Sequence, residues 1–143
     1  MDAIHDTIVQ LIRQAGIAIY PYPVPDTARR FPSAMLVPVR REDRRATRDD
    51  AFATVREYEV WIAYPYEQRR SDRIWTIAEE QEAKVAELLS EALADALWDA
   101  GIPAFVEVSG SGPRVIQRES AEGGPYAESR IRVVIRLLRE ATP

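Results

Sequence analysis

The sequence predicts an α+β fold, in which an antiparallel sheet carries an N-terminal helix and one long helix on one face. Residues 52–64 and 129–137 alternate between two kinds of side chain with a period of two, which is typical of β-strands. Between them, a segment that begins at Ser71 or Asp72 has the apolar spacing of an amphipathic helix. The order of helix, strands, long helix and strands favours helices that lie together on one side of the sheet.

The length and composition indicate one domain, residues 1–143, with enough chain to bury a core. The formal net charge of −4 argues against general nucleic-acid binding, and the chain has no cysteine and one histidine. Disulfides, thiol nucleophiles and thiolate metal sites are therefore excluded. We expect a soluble protein made in the cytoplasm, because the acidic start is unlike a secretory signal and no apolar run approaches the roughly 18 residues of a membrane span.

The first predicted elements are a helix and a short strand. Residues 3–15 place apolar side chains on one stripe of a helix, which Asp2 can cap and Gly16 can end. The stripe consists of Ile4, Ile8, Leu11, Ile12 and Ala15. Residues 17–20 favour a short strand, which ends at Pro21, the first of three closely spaced prolines.

Two strands joined by a charged segment follow. Residues 34–39 favour a short strand, in which Pro38 indicates a sheet edge or a bulge. Residues 40–50 contain almost nothing that could be buried, so we expect a long charged hairpin loop that projects into solvent. Residues 52–64 favour the longest strand of the first half, which Pro65 ends.

The dominant helix is predicted to end at Gly101 and Pro103. It either covers the sheet without interruption or breaks near residues 79–82, where its apolar stripe weakens. The stripe includes Ile74, Ile77, Ala78, Val85, Leu88, Leu89, Ala92 and Ala96.

The last predicted elements are a hairpin and a final strand. Residues 104–108 and 114–118 favour two strands joined by a turn with the sequence SGSGP at 109–113. Residues 122–125 favour another turn, and residues 129–137 the strand that follows it.

The residue types and spacings predict no catalytic, cofactor or metal site. The SGSGP segment lacks the Lys-Ser/Thr pair and the helix start of a phosphate-binding loop. Acidic residues in the first turns of the long helix, Asp72, Glu79, Glu80 and Glu82, are expected from the helix dipole. The single histidine, His5, lies beside Asp6 on the polar side of its helix. We therefore expect a protein that is not an enzyme.

The charged loop is a candidate contact for another protein. It contains five arginines, Arg40, Arg41, Arg44, Arg45 and Arg48. Arginine forks bind phosphates, but acidic residues within the loop offset most of this charge, and no aromatic side chain is interleaved to stack on bases. A solvated or partner-contacting loop is therefore favoured over a nucleic-acid site.

Two alternating strands place opposite charges where the core of one domain would leave them uncovered. Glu57, Glu59 and Trp61 share one side of residues 52–64. The corresponding side of residues 129–137 carries Arg130, Arg132 and Arg136, with Val134 between them. Facing each other across one sheet or between neighbouring sheets, these side chains are suited to set register and to reject wrong partners. They are our candidate subunit interface.

The order of these elements resembles the tail terminator proteins of long-tailed bacteriophages of the lambda type. The resemblance covers nearly the whole chain and lies in the order and pattern of the elements. It comprises the opening helix, Phe31-Pro32 before the strand 34–39, and the charged segment 40–50. It continues with an aromatic strand that ends at Pro65, the long helix, and the alternating final strand.

The resemblance implies a structural protein of the virion, located at the tail–neck junction. Tail terminators assemble as a hexameric ring, cap the finished tail tube, stop its growth and form the surface that joins the head. The implied partners are further copies of the chain, the tail tube protein and a head-completion (neck) protein. The charged loop would contact the tube or neck. The alternatives are another neck or tail-completion ring protein, or a small nucleic-acid-binding module that uses the Arg40–Arg48 loop.

Overall fold

The computed structural model describes residues 3–21, 33–43, 52–65, 71–116 and 126–138. Within these ranges the chain forms the elements α1 (Ala3–Gln14), β1 (Ala18–Pro21), β2 (Ser33–Asp43), β3 (Phe52–Pro65), α2 (Ser71–Asp99), β4 (Ala104–Ile116) and β5 (Tyr126–Leu138). The described strands form one sheet in the order β1-β2-β3-β5-β4. The α+β class predicted from the sequence is confirmed.

The sheet is antiparallel except at one edge, where β1 runs parallel to β2. The expectation of a purely antiparallel sheet was therefore wrong for this pair. A parallel pair needs a crossover connection, which is usually recognised by its helix. The intervening residues 22–32 are rich in proline and have no helical pattern, and they lie outside the described residues.

Both helices pack on one face of the sheet, as predicted, and the core lies between the helices and the sheet. The amphipathic side of α1 buries the isoleucines Ile4, Ile8 and Ile12. The helix α2 continues without a break through residues 79–82. Its most buried line is Ala78, Val85, Leu89, Leu93 and Leu97. The predicted stripe was thus rotated slightly, since it missed Leu93 and Leu97 and included the exposed Ile77.

The central strands β3 and β5 contribute alternate side chains to this core. Their buried residues are Tyr58, Val60, Ile62, Ile131, Val133 and Ile135. The alternation predicted for both segments is confirmed, and the two strands pair along nearly their whole length. Charged side chains on the intervening positions consequently lie on the opposite face of the sheet.

The SGSGP segment is not a hairpin turn, and this prediction was wrong. It lies inside one continuous strand, β4, where the pairing with β5 shifts register between Gly110 and Pro113. Such a shift is a β-bulge, which bends a strand and re-aims its backbone groups. The predicted turn at residues 122–125 lies outside the described residues.

A buried glutamate of α2 explains the glycines of this bulge. The Glu82 side chain is only 7% exposed, and its Oε1 accepts a hydrogen bond of 2.9 Å from the backbone N–H of Gly112. A Cβ atom at Gly110 would collide with this carboxylate oxygen. Gly112 has a φ of 80°, a left-handed conformation that favours glycine. The helix and the bulge thus fit each other through one carboxylate.

Tyr64 of β3 is buried on the same face, and its pKa is raised by burial and, to a smaller extent, by the negative charge of Glu82. Its hydroxyl oxygen has no hydrogen-bond partner among the described residues. A buried hydroxyl without a partner is destabilising by about 1–3 kcal/mol. Tyr64 therefore contributes packing, while its polar atom opposes folding.

We predict that Gly110→Ala lowers the free energy of unfolding by about 1–3 kcal/mol, because the added methyl group displaces the buried Glu82 carboxylate from its bond to Gly112. Urea unfolding measures this loss. Ser109→Ala, at the exposed neighbouring position, is the matched control and should stay within about 0.5 kcal/mol of the wild type. If Gly110→Ala lowers the free energy of unfolding by the same amount in a Glu82→Ala background, the two substitutions act independently, and the contact between these residues is contradicted.

We predict that Tyr64→Phe keeps the free energy of unfolding at neutral pH or raises it by about 1 kcal/mol. The pKa of Tyr64 is higher in the folded protein than in the unfolded chain. Ionisation of Tyr64 therefore leaves the free energy of unfolding unchanged below about pH 10 and lowers it as the pH rises further. The advantage of the variant should therefore grow above about pH 10, by at most about 1.4 kcal/mol per pH unit. Denaturant unfolding at pH 7 and at several alkaline pH values tests this. Parallel curves for both proteins would contradict it.

Candidate functional site: the open face of the sheet

The six predicted interface residues lie on the face of the sheet that the helices do not cover, here called the open face. The register of β3 and β5 places Glu59 opposite Arg132 and Trp61 opposite Arg130. The other two, Glu57 and Arg136, have the same parity on their strands and share this face. The structure therefore brings all six side chains to one surface.

The strongest contact of the open face joins Glu57 of β3 to Arg132 of β5. Arg132 donates hydrogen bonds to Glu57 Oε1 from Nε at 2.9 Å and from Nη2 at 2.5 Å. Glu57 is 9% exposed, whereas the Arg132 side chain is 56% exposed. The pair runs diagonally, because Glu57 itself lies opposite Val134. A buried carboxylate is thus neutralised by an arginine whose other donors still meet solvent.

A second contact group surrounds Trp61. The Arg130 guanidinium carbon lies 3.8 Å from the centre of the Trp61 ring, a cation–π geometry. Arg130 Nε also donates a hydrogen bond of 2.8 Å to the buried Glu128. Trp61 Nε1 donates to Glu59 Oε1 at 3.2 Å, so Glu59 accepts from an indole. Arg130 is therefore held by a carboxylate and an aromatic ring.

A third pair extends the open face to β4. Arg136 Nη1 lies 2.8 Å from Glu107 Oε1, and the Glu107 side chain is mostly exposed. Phe105, which lies opposite Arg136 in the register, is 56% exposed. Sequence reasoning missed Glu107 and Phe105 because residues 104–108 were considered only as half of a hairpin. Their alternation with Ala104 and Val106 was the available signal.

Apolar residues lie between these long side chains on the open face. Met35 lies opposite Trp61 and Val55 opposite Arg136, and both are buried. Val134, between Arg132 and Arg136, is buried as well. Long charged side chains commonly cover apolar surface with their stems and keep their charged ends in water. The open face is therefore a thin apolar layer beneath a charged surface.

The bulge of β4 borders a shallow depression of about 370 Å³ on this face. Its walls are the bulge residues 109–113 together with Glu59, Arg130 and Arg132. Ser111 Oγ accepts a hydrogen bond of 3.3 Å from the backbone N–H of Arg130. Because both arginines already pair with carboxylates, the depression offers charge-assisted contacts to another surface and lacks the excess positive charge of an anion site.

The charged loop predicted for residues 40–50 begins later than expected, because residues 40–43 belong to β2, and the remainder lies outside the described residues. Arg40 belongs to β2, and its Nη2 lies 3.9 Å from Glu57 Oε1, so this arginine extends the open face. Arg41 also belongs to β2, but its side chain is not among those described. Arg44, Arg45 and Arg48 lie outside the described residues. The proposed tube contact by this loop stays a prediction.

Within the described ranges, no group of three or more His, Cys, Asp or Glu side chains is placed to hold a metal ion. Among the helices of the part described, none is long and apolar enough to cross a membrane. No protein-family model matches the chain, and a search of curated proteins finds no match to it.

We predict that Arg132→Met lowers the free energy of unfolding by about 1–3 kcal/mol, because it leaves the Glu57 carboxylate buried without its nearest cation. Arg136→Met is the matched control, since its partner Glu107 is well solvated, and should cost about 0–1 kcal/mol. Urea unfolding of both variants compares the two losses. Equal losses would show that the burial of Glu57 does not decide the strength of its pair.

Proposed function

We propose that this chain is a structural virion protein that forms a ring on the end of a bacteriophage tail tube. The ring ends tube polymerisation and provides the surface to which the head is joined. Its partners are further copies of the chain, in a hexamer, together with the tail tube protein and a head-completion protein. The order of the elements supports this assignment through its resemblance to tail terminators.

The observation that carries the proposal is the open face itself. Both helices lie on the other side of the sheet, so the charged side chains of β3, β4 and β5 are presented outward. Arg132 uses two of its three nitrogens to bond Glu57, and a guanidinium has five N–H donors. Donors therefore remain for a carboxylate of a neighbouring molecule. The surface is suited to contacts between proteins.

A ring also requires contacts in which two different patches of each copy meet. The open face supplies one such patch, with arginines as charged donors and Trp61 as an aromatic contact that is already positioned by Arg130. Tryptophan and arginine are the residue types that most often dominate binding energy at interfaces. Exposed ion pairs add little stability, so the charges on this face serve register and partner choice.

We expect the purified protein to have a mass well above that of the monomer in light scattering, either alone or after tail tubes are added, and to stop the elongation of those tubes. Arg136→Glu, which leaves the pair of Arg132 and Glu57 intact, should weaken both effects by placing an acidic group beside Glu107 on the open face. Lys84→Glu, which reverses one charge at an exposed position of α2, is the control and should behave as the wild type.

A protein that stays monomeric and does not bind tubes would refute the proposal. Rings that leave tube growth unaffected would indicate another neck or tail-completion protein. Gel retardation of nucleic acid that weakens with salt, and that disappears when Arg44, Arg45 and Arg48 become glutamate, would indicate the nucleic-acid-binding alternative.

A further inference from the structure

We propose that the depression beside the β4 bulge binds an arginine side chain of a neighbouring copy, with the Glu59 carboxylate as its anionic partner. This inference rests on the proposed ring, because it names the chemical group that one copy inserts into the next. It assigns a ligand of definite charge to one site on the open face.

The first observation is that Glu59 is a carboxylate without a cation. It lines the depression and is half-buried. Arg132 lies opposite it in the register, but Arg132 turns diagonally and bonds Glu57 instead. Among the residues that the structure describes, Glu59 makes no ion pair, and its one hydrogen bond comes from Trp61 Nε1 at 3.2 Å. Because water screens a half-buried carboxylate less than an exposed one, a cationic partner stabilises it more.

The second observation is that the two arginines lining the depression are already neutralised. Arg130 Nε bonds the buried Glu128, and two nitrogens of Arg132 bond Glu57. Arg40 also approaches Glu57, at 3.9 Å, but it comes from β2 and does not line the depression. The remaining carboxylate of the lining therefore leaves one negative charge in excess at this site.

The third observation is that several hydrogen-bond donors at the rim of the depression are already used within the protein. The backbone N–H of Gly112 bonds Glu82 in the core. The Ser111 hydroxyl donates to the Gly112 carbonyl at 3.1 Å and accepts from the Arg130 backbone N–H. Pro113 has no N–H to offer. A ligand that donates hydrogen bonds is therefore better matched to this rim than one that accepts them.

An arginine suits these acceptors better than a lysine. A guanidinium has five N–H donors in one plane and is more weakly hydrated than an ammonium group, so it loses less on leaving water. It can bond a carboxylate through two donors and still donate to a carbonyl of the rim. The composition of the chain agrees, because Lys84 is the only lysine among its 19 Lys and Arg residues, and a second copy therefore supplies arginine almost exclusively.

The carboxylate of Glu59 is also held in place before a ligand arrives. Trp61 Nε1 bonds its Oε1, which leaves Oε2 for the ligand. The Trp61 ring is itself fixed by the Arg130 guanidinium, 3.8 Å from its centre. An acceptor that is already ordered loses less entropy on binding. The same hydrogen bond provides a measurement, because the indole N–H of Trp61 responds to a cation that binds Glu59.

Nuclear magnetic resonance of the Trp61 indole N–H tests the site in the full chain, diluted until light scattering shows monomers. The signal is identified by its loss in Trp61→Phe. We expect N-acetyl-arginine amide to shift this signal until it saturates, whereas N-acetyl-citrulline amide, a neutral analogue of the same shape, leaves it in place. Glu59→Gln keeps an oxygen for the indole but removes the charge, so it should weaken binding of the arginine probe about tenfold.

Assembly provides the second measurement. Glu59→Gln should raise about tenfold the protein concentration at which rings form, alone or on tail tubes, because each contact loses its charge-assisted bond. Glu87→Gln, the same change at an exposed position of α2, is the matched control and should leave this concentration unchanged.

The inference is overturned if the arginine probe leaves the signal in place, if both probes shift it equally, or if Glu59→Gln responds as the wild type does. A response to N-acetyl-aspartate in place of the arginine probe also overturns it, because the depression is then an anion site. If Glu59→Gln forms rings and caps tubes at wild-type concentrations, the arginine contact fails and the proposed function survives. If the arginine probe binds as expected but the protein neither forms rings nor caps tubes, the cation site stands and the proposed function fails.

Discussion

The arrangement of this molecule depends on the one-sided burial of its sheet. The leucines and isoleucines of α1 and α2 need an apolar surface, and the strands provide it on one face only. Side chains at the alternate positions therefore point away from the core, and long charged side chains occupy many of those positions. Because a strand alternates strictly, each position that serves the core determines the face of its neighbour. The charge network follows from this constraint.

The most reliable predictions from the sequence were those that rest on strict alternation or on a strong helical stripe. Residues 52–64 and 129–137 form the central strands because a change of one position would move every apolar side chain out of the core. The helix α2 was placed closely, although its stripe was rotated. The mixture of alanine and leucine on several of its sides gives a weak angular preference, which only the packed sheet resolves.

The errors arose where a local pattern had a distant cause. Glycine and serine at 109–112 have the composition of a turn, yet the glycines accommodate Glu82, which lies about 30 positions earlier in the chain. The direction of β1 was missed for a similar reason, since its partner lies beyond a proline-rich segment without helical character. A short stretch of sequence around residues 109–112 does not include Glu82, and one around β1 does not include β2. Turn composition alone does not distinguish a bulge from a hairpin.

The candidate site shows the same limit. Parity placed Glu57, Glu59, Trp61 and the arginines on one face, but it could not assign their partners. Three of the bonds involve residues that the alternation did not identify as partners, because Arg130 pairs with Glu128, Arg136 with Glu107, and Trp61 with Glu59. Side chains on a sheet reach diagonal as well as directly opposite neighbours, so pairing depends on rotamers that the pattern does not contain.

The same pairings support the proposal that this face takes part in recognition. Each exposed ion pair contributes about 0–1 kcal/mol to folding, and burying Glu57 carries a desolvation cost that its arginine must offset. Ordering a long side chain during association costs about 0.5–1.5 kcal/mol, and here the carboxylates have already ordered Arg130, Arg132 and Arg136 before any partner arrives. If the proposed contact forms on this face, these arginines therefore lose less conformational entropy than arginines that were free before association.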